Sequence, residues 1–224
     1  DDEQRDSFGY RLYASHTLRL IDSAAGLAVT NPPEGQKMID LDGVMVPDEG
    51  LRTPWGKQTS LISLPYLLTG LELGFDAQSA EIAWRIMQIQ QRRHSLRSPK
   101  PPVSTDYAEP APDYVNDLPD RQPVQARNLR DEVPEKVAMT STRTAFAWYA
   151  LFRNSWSEAL RQQVLPLQVP GKGWQRGLNL NNSVNAVVDA DTNAIVLESL
   201  SYIAHGQMLC LACLYTSPSA GATP

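Results

Sequence analysis

Three segments of this chain have helix-forming sequence with almost no polar face, and a helix of that kind must be enclosed by other elements. They are residues 63–72 (SLPYLLTGLE), 141–151 (STRTAFAWYAL) and 191–200 (DTNAIVLESL). Each opens with hydroxyl, amide or carboxylate side chains and then runs apolar on nearly every side. A polar first turn on an enclosed helix predicts an end that opens onto water or a ligand. A ring of helix pairs with a pocket at one end satisfies both halves of the pattern.

The segments around these three are amphipathic. Residues 7–22 predict a first helix capped by Ser7, and residues 61–74 a second, with Pro65 near its start, where proline is tolerated. Residues 77–96 predict a third, capped by Asp76, with Ile82, Ala83, Ile86 and Ile89 at helical spacing. Residues 141–152 predict a fourth. Residues 156–164 predict a fifth, with Ser155 and Glu158 at capping-box spacing. Residues 192–204 predict a sixth, with Asp191 as its N-cap and Gly206 at its end.

Outer and inner helices therefore alternate along the chain. The turns at 74–76 and 153–155 are short, which makes those hairpins tight. The other connections are long and gather on one rim. The longest, 98–138, holds eight of the prolines and reads as a lid or wall of the pocket. Residues 39–46 predict a small β-hairpin around Asp42 and Gly43. Residues 207–224 form a C-terminal tail. The fold expected over 1–224 is a single all-α domain of (α/α) toroid-like helical hairpins, half of a six-hairpin barrel, with long rim loops.

A net charge of −5 gives no support for a nucleic-acid partner. Arg92, Arg93, His94 and Arg97 read as a solvated helix end. No apolar run reaches the ~18–20 residues that cross a bilayer. His16, His94 and His205 lack metal-ligand spacing, and Asp40, Asp42 and Asp48 lack the spacing of a calcium loop. No motif for a phosphate, a cofactor or an activated serine is present. Cys210 and Cys213 read as two small apolar residues on one helix face.

What remains is carboxylate chemistry. Glu72 and Glu198 lie within apolar helices, where a carboxylate is either paired or neutral. An ion pair with Arg143 is the structural reading, and catalysis the functional one. Asp191 reads as a cap or as a third inner acid. The rim loop adds Asp106, Glu109, Asp113 and Asp117. Tyr66, Trp148, Tyr149 and Trp174 are candidate platforms for sugar rings, with Trp148 also fitting the core. Thr142, Arg143, Thr192 and Asn193, in the first turns, are candidate partners for sugar hydroxyls.

Several segments together resemble the C-terminal part of a bacterial family known as domain of unknown function 3131. They are FGYRLYA at 8–14, DGVMVP at 42–47, LPYLLTGLELG at 64–74, 141–151, Gly173-Trp174 and DTNAIVLE at 191–198. The resemblance implies an (α/α) toroid similar to glucoamylase-like glycan enzymes. It also implies an exported, periplasmic or extracellular setting with exopolysaccharide as the partner. Members of that family carry a further N-terminal helical stretch, so a second polypeptide or a second copy is expected to complete the toroid here. The family's rim loop often carries adjacent Glu and Asp where this chain has Thr105 and Asp106. That match makes Asp106 the first candidate acid, paired with one inner-helix carboxylate in a glycoside hydrolase. The loss of the glutamate favours the rival expectation, a non-catalytic glycan-binding or assembly subunit.

Overall fold

The computed structural model describes residues 8–22, 37–41, 43–48, 52–53, 56–57, 63–96, 106–107, 138–179 and 182–210. Helix α1 is Phe8–Arg19, followed by strands β1 (Met38–Leu41), β2 (Val44–Pro47), β3 (Arg52–Thr53) and β4 (Gly56–Lys57). Helix α2 is Leu64–Leu68 and continues directly into a π-helical turn, Thr69–Leu73. Helix α3 is Ala77–Leu96. Strands β5 (Asp106–Tyr107) and β6 (Ala138–Ser141) lead into α4 (Thr142–Leu151) and α5 (Ser155–Val164). After the 3₁₀ turn Leu165–Leu167 come β7 (Gln168–Val169), β8 (Gly173–Trp174), β9 (Gly177–Asn179) and β10 (Val184–Asn185). Helix α6, Ala190–His205, is the last element.

Helix α4 is the centre of the molecule, as its sequence demands. Thr144, Ala145, Phe146, Ala147, Trp148 and Ala150 are all buried. It packs against α2, α5, α6 and the π turn. Helix α2 is enclosed in the same way, with Pro65, Tyr66 and Leu67 buried, followed by Thr69, Gly70, Leu71 and Leu73 of the π turn. The three helices expected to be inner do come together, because α6 touches both α4 and the π turn.

The π turn is the junction of the core. It contacts α1, α3, α4 and α6. Gly70 makes this crowding possible: a Cβ there would lie 2.5 Å from Phe75 Cζ and 2.8 Å from Leu151 Cδ2. Thr69 Oγ1 donates to the Pro65 carbonyl at 2.7 Å, taking an acceptor within the preceding turn. The sequence predicts one continuous helix here. The wider π turn shifts the residues after Leu68, including Glu72, relative to a regular helix.

Helix α1 is tied to the start of α3 through Asp76. Asp76 Oδ1 accepts from the Ser79 N–H at 2.8 Å, capping α3 as expected. His16 Nε2 lies 3.3 Å and Arg19 3.6 Å from its other oxygen. The His16 contact, with help from Ser79, holds the Asp76 carboxyl well below the usual carboxylate range in spite of its burial.

Several expectations are corrected. The fifth helix is capped by Asn154 rather than Ser155, because Asn154 and Ser157 exchange side-chain and backbone hydrogen bonds in a capping box. The cap of α6 is Asp189, whose carboxylate accepts from Thr192 N–H at 2.7 Å; Asp191 is exposed. Helix α6 is not enclosed: Leu197 is 62% exposed and Ala194 and Leu200 share that outer side, because its neighbours cover one face only. Cys210 lies beyond the helix, which ends at Gly206, and is disulfide-bonded; Cys213, the other cysteine of the chain, is outside the described residues. The described part of the rim is not loop alone. A four-stranded antiparallel sheet, β10-β9-β6-β5, feeds directly into α4. The small hairpin is present as β1–β2, with Asp40 opposite Met45. Ser7 and most of 98–138, with Glu109, Asp113 and Asp117, lie outside the described residues.

Because the methyl of an alanine at 70 has to displace Phe75 or Leu151, Gly70→Ala is expected to destabilise by ~1–3 kcal/mol, despite the better helix propensity of alanine. A thermal melt reads this as a lower Tm. An unchanged or higher Tm would contradict the close approach at the π turn.

Candidate functional site, a carboxylate pair between inner helices

The polar first turns of α4 and α6 mostly satisfy backbone. Thr142 N–H and Oγ1 donate to the carbonyls of Arg176 and Gln175, each at 2.7 Å. Asn193 Oδ1 accepts from Trp174 N–H at 2.7 Å, and its Nδ2 donates to the carbonyls of Trp174 and Asp189. Gly173 makes room for this clamp: it has φ 99°, and a Cβ there would overlap the Asn193 amide. Asp189 accepts from Arg176 Nε at 2.5 Å while capping α6. Burial acts to raise its pKa, but Thr192 N–H and Arg176 outweigh this and hold it below the usual range. Of the residues expected to meet sugar hydroxyls, Thr142 and Asn193 thus hold the segment 174–176 against α4 and α6, and Thr192 is buried in the capped first turn of α6.

The expected aromatic platforms fare similarly. Tyr66 is fully buried beneath Gly9, whose Cβ would lie 3.0 Å from its ring. Trp148 is fully buried, and its Nε1 donates to Gln90 Oε1 at 2.7 Å. Both are core residues, enclosed because α1, α2 and α3 close around them. Tyr149 points to the outer hairpin, where Arg161 lies 4.5 Å and Arg153 5.7 Å from its ring centroid. Trp174 is half-buried, edge-on to Phe146 at 5.5 Å. Its Nε1 is enclosed without an acceptor. Arg143 is half-buried in the first turn of α4. Asp106 lies on edge strand β5 opposite Met139, three residues before Thr142, so the backbone places it beside the start of α4.

The structure puts Glu72 and Glu198 on elements that touch, with Glu198 within reach of the charge of Glu72. Glu72 is in the π turn and Glu198 is in α6, and each is eight residues from the first residue of its helix (64 to 72, 190 to 198). Both are half-buried. Among the described residues neither makes an ion pair with Arg143 or any other cation, so the expected structural pairing is not found there. Tyr13 of α1 donates its O–H to Glu72 Oε2 at 2.5 Å. Glu198 Oε2 is enclosed with no hydrogen-bond partner.

The electrostatics follow from this geometry. Burial, then the charge of Glu72, pushes the Glu198 carboxyl above its ordinary pKa. Burial, the hydrogen bond to Glu72 and the charges of Glu72 and Glu198 push the Tyr13 phenol far above its own. Burial and a nearby negative charge both favour the neutral form of a carboxyl. Among the described residues no three His, Cys, Asp or Glu side chains gather to hold a metal. No described helix is long and apolar enough to cross a membrane.

Sequence reasoning did not find Tyr13. It sits in the segment FGYRLYA, but on an amphipathic helix with nothing local to connect it to Glu72, 59 residues away. Only the packing of α1 on the π turn makes that connection.

A carboxyl whose pKa is raised on folding contributes stability below its unfolded value and loses it as pH rises through the folded one. Ionised Glu198 therefore opposes folding at neutral pH. Glu198→Gln is expected to melt higher than the wild type at neutral pH, with the gain vanishing below about pH 4, where the unfolded carboxyl also holds its proton. A variant less stable at neutral pH would mark Glu198 as a structural partner.

No curated protein and no solved structure matches this chain. One family model does, described as "Protein of unknown function (DUF3131)", and it covers residues 1–206 of the 224. That span takes in Tyr13, Glu72 and Glu198 together with the six described α-helices, and the chain is a member of the DUF3131 family.

Proposed function

We propose that this protein is a glycoside-hydrolase-like enzyme of the cell envelope or exterior that acts on a polysaccharide, with Glu198 and Glu72 as its acid and base. The observation that carries the reading is the pair itself. Two half-buried carboxylates, on a π turn and a helix that touch, act on one another electrostatically; Tyr13 holds Glu72, and Glu198 Oε2 has no hydrogen-bond partner among the described residues. Glycoside hydrolysis uses such a pair, one carboxyl neutral and one ionised. Hydrolysis adds one water across the glycosidic C–O bond. Glu198 gives its proton to the departing sugar oxygen, and Glu72 supplies the negative charge at the anomeric carbon, as nucleophile or as base toward water.

Asp106 takes a different place in this reading from the one its sequence suggests. Its strand lies beside the start of α4, where a rim residue meets the bound chain rather than the scissile bond. A wider (α/α) toroid is the architecture this reading implies, with the described helices as part of the ring and a second copy or second polypeptide extending it. An exopolysaccharide is the substrate class that the family resemblance suggests.

A second reading, a non-catalytic glycan-binding or assembly subunit, draws support from the uncovered apolar side of α6. An apolar stripe on a monomer surface marks contact with something else. One experiment separates the two. Purified protein is incubated with a panel of bacterial polysaccharides, and bound glycan and new reducing ends are measured separately. The enzyme reading expects new reducing ends from at least one glycan, with loss of ~10²–10⁴-fold in rate for Glu198→Gln and for Glu72→Gln and with binding retained. Binding with no new reducing ends selects the second reading.

A further inference from the structure

Of the three helices expected to be inner, α6 has an uncovered side, and that side carries a regular pattern. Its exposed apolar residues are Ala190, Ala194, Leu197, Leu200 and Ala204. Its exposed charged or titratable residues, Asp191 and His205, stand at opposite ends. We infer that this face seats a second copy of the chain, whose α6 packs antiparallel to the first across a two-fold axis at Leu197. The contact stands whether or not the carboxylates catalyse.

The spacing is that of a helix–helix seam. Ala190, Ala194, Leu197, Ser201 and Ala204 recur at alternating intervals of four and three residues. That period keeps one stripe of a helix facing one partner helix. The distance between packed helices follows the side chains at the contact, so the three alanines let a second backbone come close. Leu197, 62% exposed, is the large side chain at the middle of the stripe. Ser201 Oγ donates to Met208 Sδ at 4.0 Å, so exposed Met208 prolongs the stripe past Gly206. An apolar line of this kind on a surface marks a contact.

The ends of the stripe identify the partner. Reversed about Leu197, the stripe matches itself: Ala190 meets the partner's Ala204, Ala194 meets the partner's Leu200, and Leu197 meets its own counterpart. Asp191 lies in the first turn and His205 in the last, and neither has an ion-pair partner among the described residues. An antiparallel copy brings Asp191 within one turn of the partner's His205, and symmetry makes that contact twice. It also sets the positive end of each helix dipole beside the negative end of the other. A parallel copy would instead set Asp191 against Asp191 and align the dipoles. A contact that uses the same patch on both copies closes as a dimer.

The test uses the intact chain and reads mass rather than glycan cleavage. Sedimentation equilibrium of the wild type in the micromolar range is expected to show a dimer. Leu197→Glu is expected to weaken that dimer by on the order of 10²-fold, because the axis sets two new carboxylates against each other. Ile21→Glu, at an exposed apolar residue of another part of the surface, is expected to leave it unchanged. Leu197 is exposed in the single copy, so circular dichroism of Leu197→Glu is expected to match the wild type. Cysteine pairs then read the orientation under a mild thiol oxidant, with the linked peptides identified by mass spectrometry apart from the native Cys210 disulfide. Leu197→Cys is expected to link two copies. Ala190→Cys and Ala204→Cys are expected to link only when the two variants are mixed. A wild-type monomer throughout the micromolar range, a dimer untouched by Leu197→Glu, or links formed by each alanine variant alone overturns the inference. New reducing ends from a protein that stays monomeric would leave the carboxylate reading standing and sink this one.

Discussion

The structure depends on one crowded turn. Between Thr69 and Leu73 the chain widens into a π helix, and α1, α3, α4 and α6 all pack on it. Gly70 is what lets them approach, since Phe75 and Leu151 occupy the space a side chain would take. A π turn costs hydrogen-bond quality and persists where surrounding packing holds it, often at functional positions. Here the packing is dense: Tyr66, Leu67, Phe146 and Trp148, all fully buried or nearly so, lie in the same core. The turn then carries Glu72 into a position where it meets both α1 and α6.

The electrostatic arrangement opposes folding, which is why it is informative. Two half-buried carboxylates that face each other destabilise the native state unless one of them is neutral. Elsewhere the protein meets the same need differently. Asp189 is held by Arg176 and by the first turn of α6, and Asp76 by His16, Arg19 and Ser79. Those acids are structural, each with cations and backbone donors around it. Glu72 has one phenol, and Glu198 Oε2 has no hydrogen-bond partner among the described residues. The contrast within one molecule separates acids that hold the fold from acids that the fold holds.

Much of the scaffold was legible because it follows from local rules. The all-apolar runs do mark α2 and α4 as enclosed, Asp76 does cap α3, and the hairpin of β1 and β2 forms. The misreadings have physical causes. Polar residues heading an apolar helix looked like a mouth, but a helix start has unsatisfied N–H groups and neighbouring strands have unsatisfied carbonyls. Thr142 and Asn193 serve those needs. Trp148 and Tyr66 have flat rings that suit a sugar face, yet Trp148 finds Gln90 and both lie in the core. Helix α6 reads as enclosed from its composition, but composition does not count neighbours, and Leu197 is left outside. The pairing of Glu72 with Glu198, 126 residues apart (198 − 72), leaves no local trace, although each was visible singly as a carboxylate in an apolar setting.

The central claim is that Glu72 and Glu198 face and repel one another in the folded protein. The most direct measurement is a double-mutant cycle on stability, with Glu72→Gln, Glu198→Gln and the double variant unfolded by denaturant well above the carboxylate range. If the two charges oppose each other, the stability change of the double variant falls short of the sum of the single changes by ~0.5–3 kcal/mol, the range for residues in contact. Additive changes would mean that the carboxylates do not sense each other, and the acid–base pair would not exist.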